Sequence, residues 1–188
     1  MSYFPAFVKM DHARVLLVGG GKIAEEKLEK LLDFTQDITI VAIQVNKKIV
    51  SLVNRHGLTL YQRAYVSTDR LGFDMIIVAT DTPSLQKSIY QDTRMSRTLV
   101  NVVDSIEYCD FIFPSYMQKG ELIVAFSTGG ASPAFSKKLR QFFEDTIPDS
   151  VDEFLKNMKQ LRKKMPKGRD RMDYFERMVE KFFAQYFK

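Results

Sequence analysis

Cysteine is nearly missing from this chain: Cys109 stands alone in 188 residues. A single cysteine excludes an intramolecular disulfide framework, and no Cys/His spacing suits a zinc site. A reducing, cytoplasmic setting is the expectation. Histidine is scarce too, with only His12 and His56. One precedes the first strand-like run and the other ends a helix-like one. Neither has an evident serine or cysteine partner, so a hydrolase triad is unsupported. No run approaches the roughly 18 apolar residues that read as a membrane span. The opening "MSYFPAFVKMDH" lacks the basic start and apolar core of a signal peptide. Solenoid-period repeats and low-complexity tracts are also missing.

What remains is a chain with 45% hydrophobic residues and a net charge of +5. That hydrophobic share builds a core, and the length allows one ordinary domain with a smaller appendage. The positive surplus sits mainly in the last third, in "SKKLRQFF", "KNMKQLRKKMPKGR" and "KFFAQYFK". Such runs are either a solvated helix face or an attraction for an anion: nucleic acid, phosphate or a polycarboxylate.

Short branched apolar runs at 13–18, 37–43, 58–62, 73–80 and 98–104 read as buried strands. Between them lie amphipathic stretches. Ala24, Leu28, Leu31 and Leu32 share one helix face, residues 46–57 form a helix with Asn46 as N-cap and Gly57 as C-cap, and residues 84–95 form another after Pro83. Alternating strand and helix implies a parallel sheet with helices on both faces: an α/β, Rossmann-type, doubly wound fold. After Asp104 the pattern changes. "CDFIFPSYM" and "ELIVAFST" read as a hairpin turning at Lys119-Gly120, and "YFPAFVKM" (3–10) is expected to add a strand to the same small sheet. A helix follows, with Ser132 as cap and Pro133 at its first position. Beyond Pro148 two apolar stripes, Val151/Phe154/Leu155/Met158/Leu161 and Phe175/Val179/Phe182/Phe183/Tyr186, predict two helices broken at 165–170. The domain expectation is a dinucleotide-binding Rossmann domain over 1–112, a small β region over 113–147 and a helical domain over 148–188.

The stretch "RVLLVGGGKIAEEKLEKLL" carries the chemistry. Gly19, Gly21 and Ala24 match G-x-G-x-x-G/A after a strand and at the start of a helix. The first glycine permits the tight turn, the second lets backbone amides approach a pyrophosphate, and Ala24 permits close helix–strand packing. The candidate cofactor-binding residues are Gly19, Gly20, Gly21, Lys22, Ile23, Ala24, Thr80 and Asp81. The end of the second strand, "IVAIQVN", offers neither the acid expected for NAD nor an arginine for NADP, and leaves Gln44, Asn46 or backbone groups for the ribose. Ligands of open α/β sheets bind at the carboxyl ends of the strands, where Asp81 and Asp104 fall. Asp81 is also a turn or cap former ahead of Pro83. Asp104 is either a turn residue or a catalytic one. "STGGASP" (127–133) is either a capping turn or an amide-rich anion cradle.

Taken together and in order, "VLLVGGGKIAEEKLEKLL", "VATD", "NVVD", "FIFPS" and "IVAFSTGGASP" resemble the precorrin-2 dehydrogenase / sirohydrochlorin ferrochelatase family, the siroheme synthase N-terminal module, over about residues 2–145. No methyltransferase region follows, so the resemblance is to the stand-alone form. It implies oxidation of precorrin-2 to sirohydrochlorin with NAD as hydride acceptor. Some members also insert ferrous iron, as a substrate, to give siroheme. It implies a Rossmann domain, a dimerisation region at 113–147 and a small helical domain, assembled as an interlocked homodimer. It makes Asp104 the catalytic residue. The substrate-binding expectation covers Ser127, Thr128, Gly129, Gly130, Ser132 and Lys137; a serine at the place of Thr128 is a modification site in some fused enzymes. No resident metal, membrane or nucleic-acid partner is expected. The competing readings are a nucleotide-sensing Rossmann module acting on a partner through its basic tail, and nucleic-acid binding by that tail.

Overall fold

The computed structural model describes residues 3–187. The chain forms two compact units, one up to Ile112 and one from Phe113 onward.

The first unit is built on β1 (Val15–Val18), α1 (Lys22–Leu32), β2 (Ile38–Val41), α2 (Lys47–His56), β3 (Thr59–Tyr61), β4 (Met75–Val78), α3 (Pro83–Thr93) and β5 (Leu99–Val102). The sheet is five-stranded in the order β3-β2-β1-β4-β5, and every pairing is parallel. Right-handed crossovers therefore put α1 and α2 on one face and α3 on the other. Strand alternation agrees. Leu16, Val18, Ile76, Val78, Val100 and Val102 pack with Ile89 of α3 in one cluster, while Val15, Leu17 and Ile77 on the opposite face are fully buried too. Each such side chain contributes about 1.5–3 kcal/mol on burial, which explains why the strands read as continuous apolar runs and not as alternating ones. The ends of α2 follow local chemistry: Asn46 Oδ1 accepts from the Ile49 amide at 2.9 Å, and Gly57 closes the helix with φ 66°.

The second unit begins with an antiparallel hairpin, β6 (Ser115–Lys119) and β7 (Leu122–Phe126). Three helices follow: α4 (Pro133–Thr146), α5 (Val151–Lys164) and α6 (Arg169–Tyr186). Met117, Ile147, Val151 and Phe182 form its core, with Leu122, Val124, Phe126, Phe143, Phe154 and Leu155 packed around them. Hairpin and helices thus share one apolar centre.

Three expectations need correction. Residues 3–10 form no strand, and among the described residues β6 pairs only with β7; Pro5 has no N–H to donate to a ladder. The first hairpin strand starts at Ser115 and not at Cys109, because Pro114 ends the preceding segment and Asp110 is tied back to β5 through Val100. The turn itself is Gly120-Glu121, with Lys119 paired to Leu122. Gly120 has φ 59°, and a Cβ there would collide with the Asp152 carboxylate, which accepts from the Glu121 amide at 3.1 Å.

Candidate nucleotide-binding and active site

The carboxyl ends of β1 and β4 meet where the strand order reverses, and the glycine loop lies there. Gly19 adopts φ 127°, and a Cβ on it would overlap the Ala79 carbonyl. Gly20 is closed off by the Gln44 carbonyl and by Val45 Cγ1, which a Cβ would meet at 2.8 Å. Gly21 is different, since nothing lies within 4 Å of its Cβ position. Gly19 and Gly20 therefore bring the loop against the ends of β4 and β2, while Gly21 faces open space. Gly21 is also the N-cap of α1 and no side chain caps that end, so the first-turn amides of Lys22, Ile23 and Ala24 offer the positive end of a helix. Ala24 is fully buried, as close helix–sheet contact requires. This is a cradle suited to a diphosphate.

The other wall is the end of β4. The Ala79 amide donates to the Val18 carbonyl at 2.8 Å. The Thr80 carbonyl accepts from Gln86 Nε2 at 2.6 Å, and Thr80 Oγ1 lies 3.5 Å from Thr82 Oγ1. Asp81 is exposed, and Thr82, not Asp81, is the N-cap of α3. Capping therefore does not account for Asp81.

Asp104 is exposed at the end of β5 and has φ 61°. It is the single non-glycine residue with positive φ among those described. Aspartate tolerates this conformation better than most residues. The turn is anchored on both sides. The Val103 amide donates to Val78 at 3.0 Å. Arg94 grips Asp110 through Nη1 and Nη2, each at 2.7 Å, and Asp110 Oδ2 accepts from the Val100 amide at 2.9 Å. Cys109 Sγ lies 3.1 Å from the Val102 carbonyl, and burial pushes its thiol above the ordinary range. Its thiol also lies 3.3 Å from the Ser105 carbonyl, within the turn. Half-buried Lys27 of α1 lies within electrostatic reach of Asp104. Burial, then Lys30, lowers its ammonium, and the Asp104 carboxylate opposes that shift.

In the second unit the loop before α4 is held by its own hydroxyls. Ser127 Oγ accepts from the Gly129 amide at 3.1 Å, Thr128 Oγ1 from the Ser132 amide at 3.0 Å, and Ser132 Oγ from the Phe135 amide at 3.2 Å. Gly129 and Gly130 supply φ 61° and 90°. Lys137 is exposed on the first turns of α4. The capping-turn reading of this stretch is thus satisfied, and the loop is pre-shaped as well.

The first unit therefore gathers Gly19–Ala24, Thr80, Asp81 and Asp104 at one sheet edge. Ser127–Ser132 and Lys137 form a second cluster in the other unit. Two residues escaped the sequence reading: Lys27, and Glu25, which binds Asn46. Both follow the glycine motif on α1, where charge looked like an ordinary solvated helix face. Asn46 itself is spent on capping and on Glu25, which leaves Gln44 as the exposed polar side chain after β2. Among the described residues no group of three or more His, Cys, Asp or Glu could hold a metal ion, and no helix is long and apolar enough to cross a membrane.

Comparison with known proteins agrees with this geometry. Residues 6–115 match the family described as "Putative NAD(P)-binding". The siroheme synthase of Methylococcus capsulatus is 36% identical over 184 residues, covering 96% of this chain and 39% of that protein. The siroheme synthase of Pseudoalteromonas atlantica is 37% identical over 151 residues, covering 80% and 33%. The chain thus spans a third to two-fifths of the length of these relatives. Among solved structures, SirC, a precorrin-2 dehydrogenase, superposes with a TM-score of 0.79 at 24% identity, covering 98% of this chain and 91% of that one; the two share a fold. With a glycine cradle at the sheet's switch point and a family match over residues 6–115, the chain belongs to the NAD(P)-binding family and is related in sequence to siroheme synthases.

Proposed function

We propose that this chain is the NAD-dependent dehydrogenase that converts precorrin-2 to sirohydrochlorin in siroheme biosynthesis. The observation that carries the reading is the joint placement, on one sheet edge, of the glycine cradle and of Asp104 in a strained turn. Gly19, Gly20 and the amides of residues 21–24 would hold the diphosphate, and Thr80 and Asp81 would border it. A pyridine nucleotide bound there would supply the hydride acceptor. The substrate also loses a proton, and the exposed carboxylate of Asp104 is the acceptor that this edge supplies. A residue held at positive φ costs about 1–3 kcal/mol and persists where the surroundings enforce it, often at functional sites. Similarity to siroheme synthases and the fold shared with SirC support the choice of substrate.

The 127–132 loop with Lys137 is the substrate-binding part of this proposal. Its backbone amides and nearby cations suit a polycarboxylate tetrapyrrole. The assembly is a homodimer, with residues 113–147 as the dimerisation region and 148–188 as a helical domain. The support is exposed apolar surface in the second unit: Phe135 and Phe142, seven residues apart on α4, are 58% and 59% exposed, and among the described residues both outer edges of the β6–β7 hairpin are unpaired.

An anaerobic assay with precorrin-2 and NAD tests the activity. Formation of the sirohydrochlorin absorption spectrum together with NADH is expected. Asp104→Asn keeps the turn, because asparagine also tolerates positive φ, and should keep NAD affinity while lowering turnover by about 10²–10⁴-fold. Normal turnover by this variant would remove Asp104 from the chemistry. Ferrous ion added after the first step reads out iron insertion in the same cuvette.

A further inference from the structure

A Rossmann site usually takes the acid that meets the adenosine ribose from the end of its second strand. Here β2 is followed by Ile43 and Gln44, both exposed and neither acidic. The fold brings a carboxylate to that corner from another element. Glu25, in the first turn of α1, accepts from Asn46 Nδ2 at 2.6 Å. Asn46 also donates its backbone amide to the Gly20 carbonyl at 3.0 Å, so it joins the glycine loop to Glu25. Lys48 completes the cluster, with Nζ 2.5 Å from Glu29 Oε1 and 3.5 Å from Glu25 Oε1. The Glu25 side chain is only 18% exposed, against 55% for Lys48. The Glu29 carboxylate, and after it Glu25, hold the Lys48 ammonium above the usual lysine range. Lys48, the cation beside Glu25, is thus committed to two carboxylates. Lys47 is exposed and forms no ion pair among the described residues, so it offers only a weak, solvent-screened attraction.

We propose that Glu25, set in place by Asn46 and Lys48, is the residue that selects NAD over NADP. The inference rests on dinucleotide binding at the glycine loop. A 2′-phosphate brings close to two negative charges toward a carboxylate with little access to water, where like-charge repulsion is screened least. Recruiting Lys48 to offset that charge would break its pairing with Glu29. A ribose with a free 2′-hydroxyl meets neither obstacle.

The test is calorimetric titration of the full chain with NAD and with NADP, for the wild type, Glu25→Gln and Lys48→Met. The wild type should favour NAD by about tenfold or more. Glu25→Gln removes the charge and keeps the shape, and should shrink that preference about tenfold. Lys48→Met leaves both carboxylates uncompensated and should widen the preference several-fold. Opposite shifts in the two variants are the signature of charge selection. Lys48 is largely exposed, so its variant carries the test should Glu25→Gln fail to fold. A wild type that favours NADP, or variants whose NAD:NADP ratios both stay within about twofold of the wild type, would overturn the assignment. Wild-type protein that binds neither nucleotide would instead remove the dinucleotide reading itself, and this inference with it.

Discussion

The two units bury their apolar residues to different degrees. In the first, both faces of the sheet are closed, and Leu16, Leu17, Ile76 and Ile77 have no exposure. In the second, Met117 is buried to 2%, but Ile147, Val151 and Phe182 keep 7–8%, while Phe135, Phe142, Met172 and Phe183 stand more than half exposed. A parallel sheet needs cover on both faces and obtains it from its own crossovers. A hairpin with three helices has too few layers to hide every apolar stripe. The first unit is therefore self-sufficient in its core and places its chemistry at an edge. The second leaves Phe135 and Phe142 of α4 exposed, surface that the proposed homodimer would cover.

The largest effect that would sharpen this contrast lies in the glycine loop. Gly19→Ala forces both an unfavourable φ and a clash with the Ala79 carbonyl, and should destabilise the first unit by about 3 kcal/mol and abolish nucleotide binding. Gly21→Ala meets nothing, so its melting temperature should hold while nucleotide affinity falls. Equal melting temperatures for the two variants would show that loop packing had been misjudged. In the second unit, Met117→Ala empties the best-buried position and should cost about 2–3 kcal/mol in denaturant unfolding. A smaller loss would indicate a looser core than the burial suggests. Phe142→Lys should leave protomer stability within about 0.5 kcal/mol yet weaken self-association, visible by sedimentation as a shift toward monomer. An unchanged oligomeric state would show that α4 faces solvent in the assembly.

The smallest effect concerns pH. The Arg94 guanidinium, with the Val100 amide, holds the Asp110 carboxyl below the usual carboxylate range. Its contribution to stability is present above the unfolded-state value of about 4 and is lost as pH falls toward the lower native value. Thermal melts of wild type and Asp110→Asn should therefore differ at neutral pH and converge in acid. Parallel curves would show that the pair does not stabilise the turn carrying Asp104.

Much of the first unit was legible because its signals are local. The five strands are apolar, largely branched runs that have to be buried on both sides, and each appears within the expected stretch, shortened by two to four residues. Asn46 and Ser132 cap their helices through side-chain oxygens, Gly57 ends α2 at positive φ, and Pro133 takes the first position of α4. The hairpin was less legible. Phe111 and Phe113 look like strand residues, yet Asp110 returns to β5 and Pro114 interrupts the run, so pairing starts only at Ser115. At the site, the glycine cradle and the two acids at the strand ends could be placed from the motif and the strand order. The Glu25–Asn46–Lys48 cluster could not, because its members are more than twenty residues apart at the widest and meet only when α1 and α2 pack.

Apolar periodicity and capping chemistry, properties of neighbouring residues, were enough by themselves to set the order of strands and helices, the glycine turn and the sheet edge where ligands belong. Tertiary structure alone decided which glycine is closed and which is open, that Asp104 sits at positive φ, that residues 3–10 stay out of any sheet, and that a carboxylate from α1 reaches the corner β2 left without one. The physical reason is range: propensity and pattern act over a few residues, whereas contacts between backbone carbonyls, and between charges on separate helices, exist only after the chain has closed on itself.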